Sequence, residues 1–133
     1  MSAVVADTHA AIWMLTMPAR LSSAALSALK GAEAAAAPIY LASISLVETA
    51  YLIEKGRLPE SLFDRLQREL ANPDSGLTLV PLDLPIAQAL RRISRAAVPE
   101  MPDRIIAATA LHLGLPLVTR DLNIAASGIP TLW

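Results

Sequence analysis

The feature that most constrains the fold of this chain is the alternation of short apolar runs with longer segments of helical spacing. Four runs have the length and the Val, Ile and Leu content of buried strands, and a fifth short run ends the chain; they cover residues 3–6, 39–42, 77–82, 117–119 and 131–133. Strands that are separated by helical segments, without hairpin signals, favour a parallel sheet covered by helices. We therefore predict an α/β fold.

The segments between the apolar runs carry helix start and stop signals. Ser22 is an N-cap candidate, Pro59 suits a first helical turn, and Gly56 and Gly114 are stop signals. The predicted helices cover residues 8–16, 22–36, 43–55, 59–71, 84–97 and 103–113. Because no stretch of the sequence has the composition of a linker, we expect one domain over residues 1–133.

The composition narrows the classes of function. Cysteine is absent, which excludes disulfides, thiolate metal sites and a cysteine nucleophile. The N-terminus lacks the basic segment of a secretory signal, and the longest uncharged stretch, Ile105 to Thr119, is shorter than the roughly 20 residues of a membrane span. We therefore expect a soluble, cytoplasmic protein with no membrane partner. The formal net charge of -1 neither requires nor excludes a nucleic acid.

Four acidic side chains occupy positions that a parallel sheet brings to one edge. Asp7 and Asp121 follow predicted strands, while Glu48 and Asp103 lie in the first turns of predicted helices. Doubly wound sheets bind ligands at the carboxyl ends of their strands, near the point where the strand order reverses. The sequence thus predicts that the four acids converge on one crevice.

Each of these acids also has an ordinary structural explanation. Asp7 can cap a helix, and Glu48 stands three residues after Ser45, which is the spacing of a capping box. Asp103 suits a helix N-terminus, where the helix dipole stabilises negative charge, and Asp121 can be a turn residue. The functional interpretation depends on whether the four carboxylates meet.

A cluster of four carboxylates needs a cation. Like charges about 4 Å apart repel by about 4 kcal/mol at an effective dielectric constant of about 20, so the acids gather only if a cation binds or their pKa values shift. Carboxylate oxygens suit Mg²⁺ or Mn²⁺, and no soft ligand set favours zinc. Such ions catalyse phosphodiester hydrolysis by activating water and neutralising charge on the phosphate. A metal-dependent nuclease is the predicted chemistry.

Three segments and the chain end carry a family resemblance: VVADTHAAIW, LASISLVETAYLIEKGRL, MPDRIIAATALHLGLPLVTRD and the terminal Leu-Trp. Through their order and spacing the chain resembles the PIN-domain ribonucleases, and among them the VapC-like toxins of type II toxin–antitoxin pairs. The resemblance covers nearly the whole chain. It implies a three-layer α/β/α sandwich with a central parallel sheet, and a Mg²⁺-dependent endoribonuclease for which Mn²⁺ is an alternative ion.

The resemblance also implies site residues and partners. The acids of the family match Asp7, Glu48, Asp103 and Asp121, as metal ligands and catalytic residues, and a hydroxyl near the attacking water matches Thr119. Before Asp103 the chain departs from its relatives, which often carry Asp-Pro-x-Asp-Arg where this sequence has EMPDR. The implied partners are an RNA substrate, a second copy in a homodimer, and a cognate small antitoxin that wraps apolar surface on the first helices and blocks the acidic pocket.

Several arginines lie near these motifs. Arg104 and Arg120 flank two of the acids and are expected to form structural ion pairs, although steering of phosphate is the alternative. Residues 84–97 are predicted to form an amphipathic helix with a basic face, which either tracks an RNA backbone or is only solvated. The basic face consists of Arg91, Arg92 and Arg95.

The histidines and tryptophans are expected to have packing roles. A single histidine beside a helix cap or within an apolar helix is usually packed, which applies to His9 and His112. Trp13 and Trp133 are predicted to lie in the core.

Three other functions remain open. A phosphotransferase of the haloacid-dehalogenase type also begins with a strand that ends in Asp, but it needs a second Asp where this chain has His9. A phosphoacceptor receiver domain needs a lysine near the end of a late strand, whereas the lysines here are Lys30 and Lys55. A PIN fold that serves as a catalytically inactive interaction module is disfavoured by the intact set of acids.

Overall fold

A five-stranded parallel sheet forms the centre of the fold, in a computed structural model that describes residues 3–133. The strands are β1 (Val4–Ala6), β2 (Ile39–Ala42), β3 (Leu77–Val80), β4 (Leu117–Val118) and β5 (Thr131–Leu132). Their order across the sheet is β3-β2-β1-β4-β5, and each neighbouring pair is parallel. The predicted parallel sheet is confirmed, while the first two residues of the predicted domain lie outside the described part.

Helices cover both faces of this sheet. They are α1 (Thr8–Thr16), α2 (Ser23–Ala34), α3 (Ile44–Glu54), α4 (Ser61–Ala71), α5 (Leu84–Leu90), α6 (Met101–Leu113) and α7 (Leu122–Ala126), with a 3₁₀ turn at Pro18–Arg20. Local signals explain their ends. The Ser22 hydroxyl accepts a hydrogen bond from the Ala25 N–H at 3.0 Å and caps α2. Gly114 ends α6 in the left-handed region, at φ 67°.

Helix α5 is shorter than predicted. It ends at Leu90 rather than Ala97, and the chain then runs through turns. The guanidinium of Arg104 donates hydrogen bonds to the carbonyl oxygens of Leu90 and Ile93, at 3.0 and 2.8 Å, so a side chain takes the acceptors at the end of this helix. The predicted basic helix face is therefore wrong: its three arginines are exposed on turns, at Arg91, Arg92 and Arg95.

Two other helix boundaries differ from the prediction. Helix α6 begins at Met101 rather than Asp103, because Pro102 occupies its first turn, where a proline needs no backbone donor. Helix α7 was not predicted, since five residues show too little periodicity to reveal a helix. It directly follows Asp121, which makes that residue a helix cap rather than a plain turn residue.

The strands bury side chains on both faces, which produces two cores. Val4 and Ala6 belong to the core under α1, α2 and α4, whereas Val5 belongs to the core under α5 and α6. This alternation of successive residues between two covered faces gives the three layers of an α/β/α sandwich, as predicted. Trp13 is buried in the first core, which confirms its expected position, whereas Trp133 is only partly buried and packs against that core.

The sheet topology defines where a ligand can bind. Strand β1 lies in the middle, with β2 on one side and β4 on the other, so the strand order reverses beside β1. The chain segments that leave the carboxyl ends of β1, β2 and β4 consequently meet at one edge. Across the described residues, every helix falls short of the length and hydropathy that a bilayer span requires.

Candidate active site

A pocket of about 380 Å³ lies at the carboxyl edge of the sheet, beside the central strand. All four predicted acids contribute to its wall. The lining residues are Asp7, Thr8, His9, Glu48, Asp103, Ile106, Arg120 and Asp121. The structure therefore brings together four carboxylates from four separate segments of the chain.

Asp7 follows β1 and combines a structural role with its place in the pocket. Its Oδ1 accepts a hydrogen bond from the Ala10 N–H at 2.8 Å, so the expected helix cap is present. The other oxygen, Oδ2, takes no part in this cap. Burial raises the pKa of Asp7, and this outweighs the opposing effects of the Thr119 hydroxyl, the Ala10 N–H and His9.

Asp121 follows β4 and, like Asp7, both caps a helix and lines the pocket. Its Oδ1 accepts hydrogen bonds from the N–H groups of Asn123 and Ile124, at 2.8 and 3.2 Å, and thereby caps α7. The Asp121 N–H in turn donates to the Thr119 hydroxyl at 3.1 Å. Thr119 is only 2% exposed and is not among the residues that line the pocket. Its hydroxyl acts from below the pocket, where it fixes the turn that presents Asp121.

Glu48 is held by a side chain from a different helix. The Thr8 hydroxyl donates to Glu48 Oε1 at 2.6 Å and lies 2.8 Å from the Ser45 hydroxyl. Helix α3 begins after Ser43, whose hydroxyl accepts the Leu82 N–H and so ties α3 to the segment after β3. The capping-box explanation for Glu48 is wrong, since its carboxylate turns toward Thr8 and the pocket.

Asp103 occupies the first turn of α6 and experiences the charges of the other three acids. Burial, followed by the nearby carboxylates of Asp121, Glu48 and Asp7, raises its pKa from the usual 3.8 to about 7. A raised pKa with these causes is the expected result of crowding carboxylates without a neutralising cation. It shows that the four acids are close enough to interact electrostatically.

The donor set fits a hard divalent cation. Four carboxylates supply oxygen ligands of the kind that Mg²⁺ and Mn²⁺ prefer, and a cation would offset the carboxylate repulsion that, together with burial as the larger cause, raises the pKa of Asp103. Among residues 3–133, however, no group of three or more acidic or histidine side chains is already closed around one cation position.

Two basic residues next to the acids have different surroundings from those expected. Arg104 points away from the pocket, and its guanidinium binds two backbone carbonyls; its buried Nε has no hydrogen-bond partner. The predicted ion-pair role of Arg104 is therefore wrong. Arg120 lines the pocket, and its guanidinium carbon lies 4.7 Å from the centroid of the Trp13 ring.

The sequence reasoning missed the role of Thr8 and the exposure of the histidines. His9 and His112 are both exposed; His9 lines the pocket, and its ring also lies 5.5 Å from that of Trp13. The one available signal was local: Thr8 and His9 directly follow Asp7, at the carboxyl end of a strand, where side chains face the ligand crevice.

Comparison with known proteins assigns this architecture to a family. A family model described as the PIN domain matches residues 4–128. Ribonuclease VapC22 from Mycobacterium tuberculosis is 34% identical over 139 aligned residues, which cover 100% of this chain and 100% of the relative.

Solved structures of low sequence identity share the fold. A structure of VapBC2 from Rickettsia felis, bound to a DNA fragment from their promoter, matches with a TM-score of 0.72 at 16% identity and covers 97% of this chain and 96% of that chain. A structure of FitAcB from Neisseria gonorrhoeae matches with a TM-score of 0.62 at 20% identity, with coverages of 96% and 95%.

Proposed function

The chain belongs to the PIN-domain family, and we propose that it is an endoribonuclease that hydrolyses RNA phosphodiester bonds with the help of Mg²⁺ or Mn²⁺. The observation that carries this proposal is the meeting of four carboxylates from four separate chain segments in one pocket. Its relative from M. tuberculosis is named a ribonuclease. Membership of this family excludes the two alternatives of a phosphotransferase and a receiver domain.

The four acids are the proposed ligands of the cation: Asp7, Glu48, Asp103 and Asp121. A divalent ion at this site supplies charge neutralisation at the phosphodiester and lowers the pKa of the attacking water. For Asp7 and Asp121 the caps use Oδ1, which leaves Oδ2 for the ion. Asp103 must release its proton to act as a ligand, and the Thr8 hydroxyl holds Glu48 in its orientation.

Thr119 is proposed to act through Asp121. Its hydroxyl oxygen accepts the Asp121 N–H and lies close enough to Asp7 to lower the pKa of that carboxyl. The side chain thus connects the turns after β1 and β4 from below the pocket. The expected role beside the attacking water stays a proposal for the RNA-bound state.

The biological role that we propose is that of the toxin in a toxin–antitoxin pair, acting in the cytoplasm. The identity of 34% with a VapC ribonuclease over the full length of both chains supports this assignment. A cognate small antitoxin would silence the enzyme by blocking the acidic pocket, and a homodimer is the proposed assembly. The expected antitoxin contact is with apolar surface on the first helices. Among these helices the exposed large apolar side chains lie on α3, at Val47 and Tyr51, rather than on α1 and α2.

Cleavage of RNA by the purified protein tests the enzymatic proposal. We expect Mn²⁺ or Mg²⁺ to support cleavage, EDTA to abolish it, and Asp103→Asn to reduce kcat by at least about 100-fold, since even partners of metal ligands contribute 10- to 100-fold. The matched control is Asp64→Asn, an exposed acid in the first turn of α4. Undiminished cleavage by the Asp103 variant would refute the site.

Growth of a bacterial host tests the proposed biological role. Induced expression of the chain should arrest growth, the Asp103→Asn variant should not, and co-expression of a short gene that neighbours its coding sequence should restore growth. An active ribonuclease whose expression leaves growth unchanged would separate the enzymatic activity from the toxin role. An arrest that persists in the Asp103 variant would point instead to an interaction module without turnover.

A further inference from the structure

One buried tryptophan next to the pocket carries two arginines on its ring. The guanidinium carbon of Arg20 lies 4.8 Å from the centroid of the Trp13 ring, and that of Arg120 lies 4.7 Å from it. The Trp13 side chain is 5% exposed, whereas both arginines are exposed. Two cations from distant segments of the chain are thus held at one fixed aromatic support.

Neighbouring aromatic rings hold this support in place. The ring of Trp133 lies 6.0 Å from that of Trp13 and is tilted by 56°, while the imidazole of His9 lies at 5.5 Å and 54°. Tilted aromatic pairs at these distances are attractive, and Trp13 is also part of the core under α1 and α2. The buried ring therefore gives both guanidinium groups a common contact surface.

The two arginines are placed differently relative to the acidic pocket. Arg120 lines the acidic pocket itself and directly precedes Asp121. Arg20 ends the 3₁₀ turn after α1 and is not among the residues that line the pocket. One cation of the pair therefore belongs to the pocket wall, while the other lies outside the pocket beside the same ring.

The two guanidinium groups place a local excess of positive charge beside the pocket, which suits an anionic ligand. The attraction of each group to the ring is about 0.5–1 kcal/mol at exposed sites. Contact with a ring uses the face of the cation, so its N–H donors stay available for paired hydrogen bonds to phosphate oxygens. Arg104 differs in this respect, because its donors are occupied by the carbonyls of Leu90 and Ile93.

We propose that Arg120 and Arg20, supported by Trp13, form a phosphate-binding track that receives the RNA backbone next to the phosphodiester in the acidic pocket. Trp13 is a positioning residue in this track, since it acts through the two arginines. The inference rests on the proposed ribonuclease function. RNA is favoured over an acidic protein segment because Arg120 shares its pocket with the four carboxylates at which the scissile phosphate is proposed to lie.

The salt dependence of RNA binding tests the track without relying on turnover. Binding of a labelled single-stranded RNA is measured by fluorescence anisotropy in EDTA over a series of NaCl concentrations. Each phosphate contact contributes about 0.7 to the slope of log K against log salt for a single strand. We expect Arg20→Gln and Arg120→Gln each to reduce the slope by about this amount, while Arg65→Gln, an exposed arginine on α4, leaves it unchanged.

Substitution of Trp13 gives a second test of the phosphate-binding track. Trp13→Leu should reduce the slope although both arginines are present, and Trp13→Phe, which retains a ring, should restore most of it; circular dichroism and thermal unfolding check that each variant folds. In steady-state cleavage, Arg20→Gln should raise KM several-fold and leave kcat nearly unchanged, since Arg20 is outside the pocket.

Three other results would overturn the phosphate-binding track or assign its arginines to another ligand. Unchanged slopes for both arginine variants overturn the track, even if Trp13→Leu does not fold. An equal loss in Arg65→Gln also overturns it, because the effect would then follow net charge alone. Weaker binding of an acidic antitoxin segment with unchanged RNA slopes would assign the arginines to a protein partner instead. Cleavage by the unmodified chain is measured in parallel, so that failure of the track and failure of the ribonuclease function are distinguishable.

Discussion

At the scale of single residues, the acids of the pocket are defined by their immediate partners. Two of them, Asp7 and Asp121, cap helices through Oδ1 and also line the pocket. The orientation of Glu48 depends on a hydroxyl from another helix, and the pKa of Asp103 depends on its burial and on the carboxylates around it. The structural contacts of these acids are therefore compatible with the ligand roles that we propose for them.

Replacement of Thr8 by valine should weaken cation binding without a change of fold. Thr8→Val preserves the shape of a buried side chain but removes the donor to Glu48 Oε1. We expect Mn²⁺ affinity to fall about 10- to 100-fold, as for other partners of metal ligands, and stability to fall by about 1 kcal/mol. Isothermal titration calorimetry and urea unfolding measure the two effects.

The matched control for this change is Thr109→Val. Thr109 is also buried, and its hydroxyl donates to the Ile105 carbonyl at 2.8 Å, within α6. This variant should lose similar stability and retain its Mn²⁺ affinity. Equal affinity losses in the two variants would show that Thr8 contributes through general stability rather than through Glu48.

The affinity for a divalent cation should increase with pH between about 5 and 7. The raised pKa of Asp103, about 7, means that this carboxyl is protonated over most of that range and must lose its proton when a cation binds. Each pH unit below the pKa should cost up to about tenfold in affinity. Titration with Mn²⁺ at several pH values measures this, and an affinity independent of pH would contradict the assigned ligand.

At the scale of elements, helix ends decide the shape of the site. Helices α1, α6 and α7 begin at the carboxyl edge of the sheet, and each places an acid at or near its first turn. Helix α5 ends at Leu90 and packs closely against α6. Arg104 joins these two helices through the carbonyls of Leu90 and Ile93.

Loss of the Arg104 guanidinium should destabilise the α5–α6 unit. Arg104→Met keeps much of the apolar stem but leaves two carbonyls without their charged donor, and we expect a loss of about 2–3 kcal/mol in the free energy of unfolding. Arg104→Lys should restore little, because one ammonium cannot reproduce a planar fork to two acceptors. Urea unfolding compares these with Arg95→Met, an exposed arginine on the same turn segment; equal stability of all variants would refute this role.

At the scale of the whole molecule, the raised pKa of Asp103 links the stability of the fold to pH. The pKa of Asp103 in the folded protein, about 7, exceeds its ordinary value of 3.8, so the folded chain binds more protons than the unfolded chain between these pH values. The stability of the metal-free protein should therefore fall as pH rises through this window. Burial raises the pKa of Asp7 as well and acts in the same direction.

Thermal unfolding at pH 5 and pH 8 tests this linkage. In EDTA we expect a lower Tm at pH 8, and the addition of Mn²⁺ should raise Tm more at pH 8 than at pH 5, since the ligands are ionised there. A cation at 100 times its Kd stabilises by about 2.7 kcal/mol. Asp103→Asn, which cannot ionise, should show a smaller pH dependence in EDTA; identical profiles for both proteins would assign the effect to other groups.

Local patterns were sufficient for much of the fold. The limits of α1 and β2, the cap at Ser22 and the stop at Gly114 follow from propensities and periodicity within short segments, and these signals agree with the structure. The separation of strands by helices also determined the parallel sheet, and hence the edge at which the four acids gather. These properties are encoded locally, so a single sequence was enough to predict them.

Tertiary structure decided the features that join distant segments. Arg104 binds the carbonyls at the end of α5, the Thr8 hydroxyl binds Glu48, and the pKa of Asp103 depends on burial and on three other acids. The four carboxylates that sequence placed at one edge thus acquire their properties from packing. The physical reason is that desolvation, charge repulsion and side-chain hydrogen bonds act through space, between groups whose separation along the chain carries no signal of their contact.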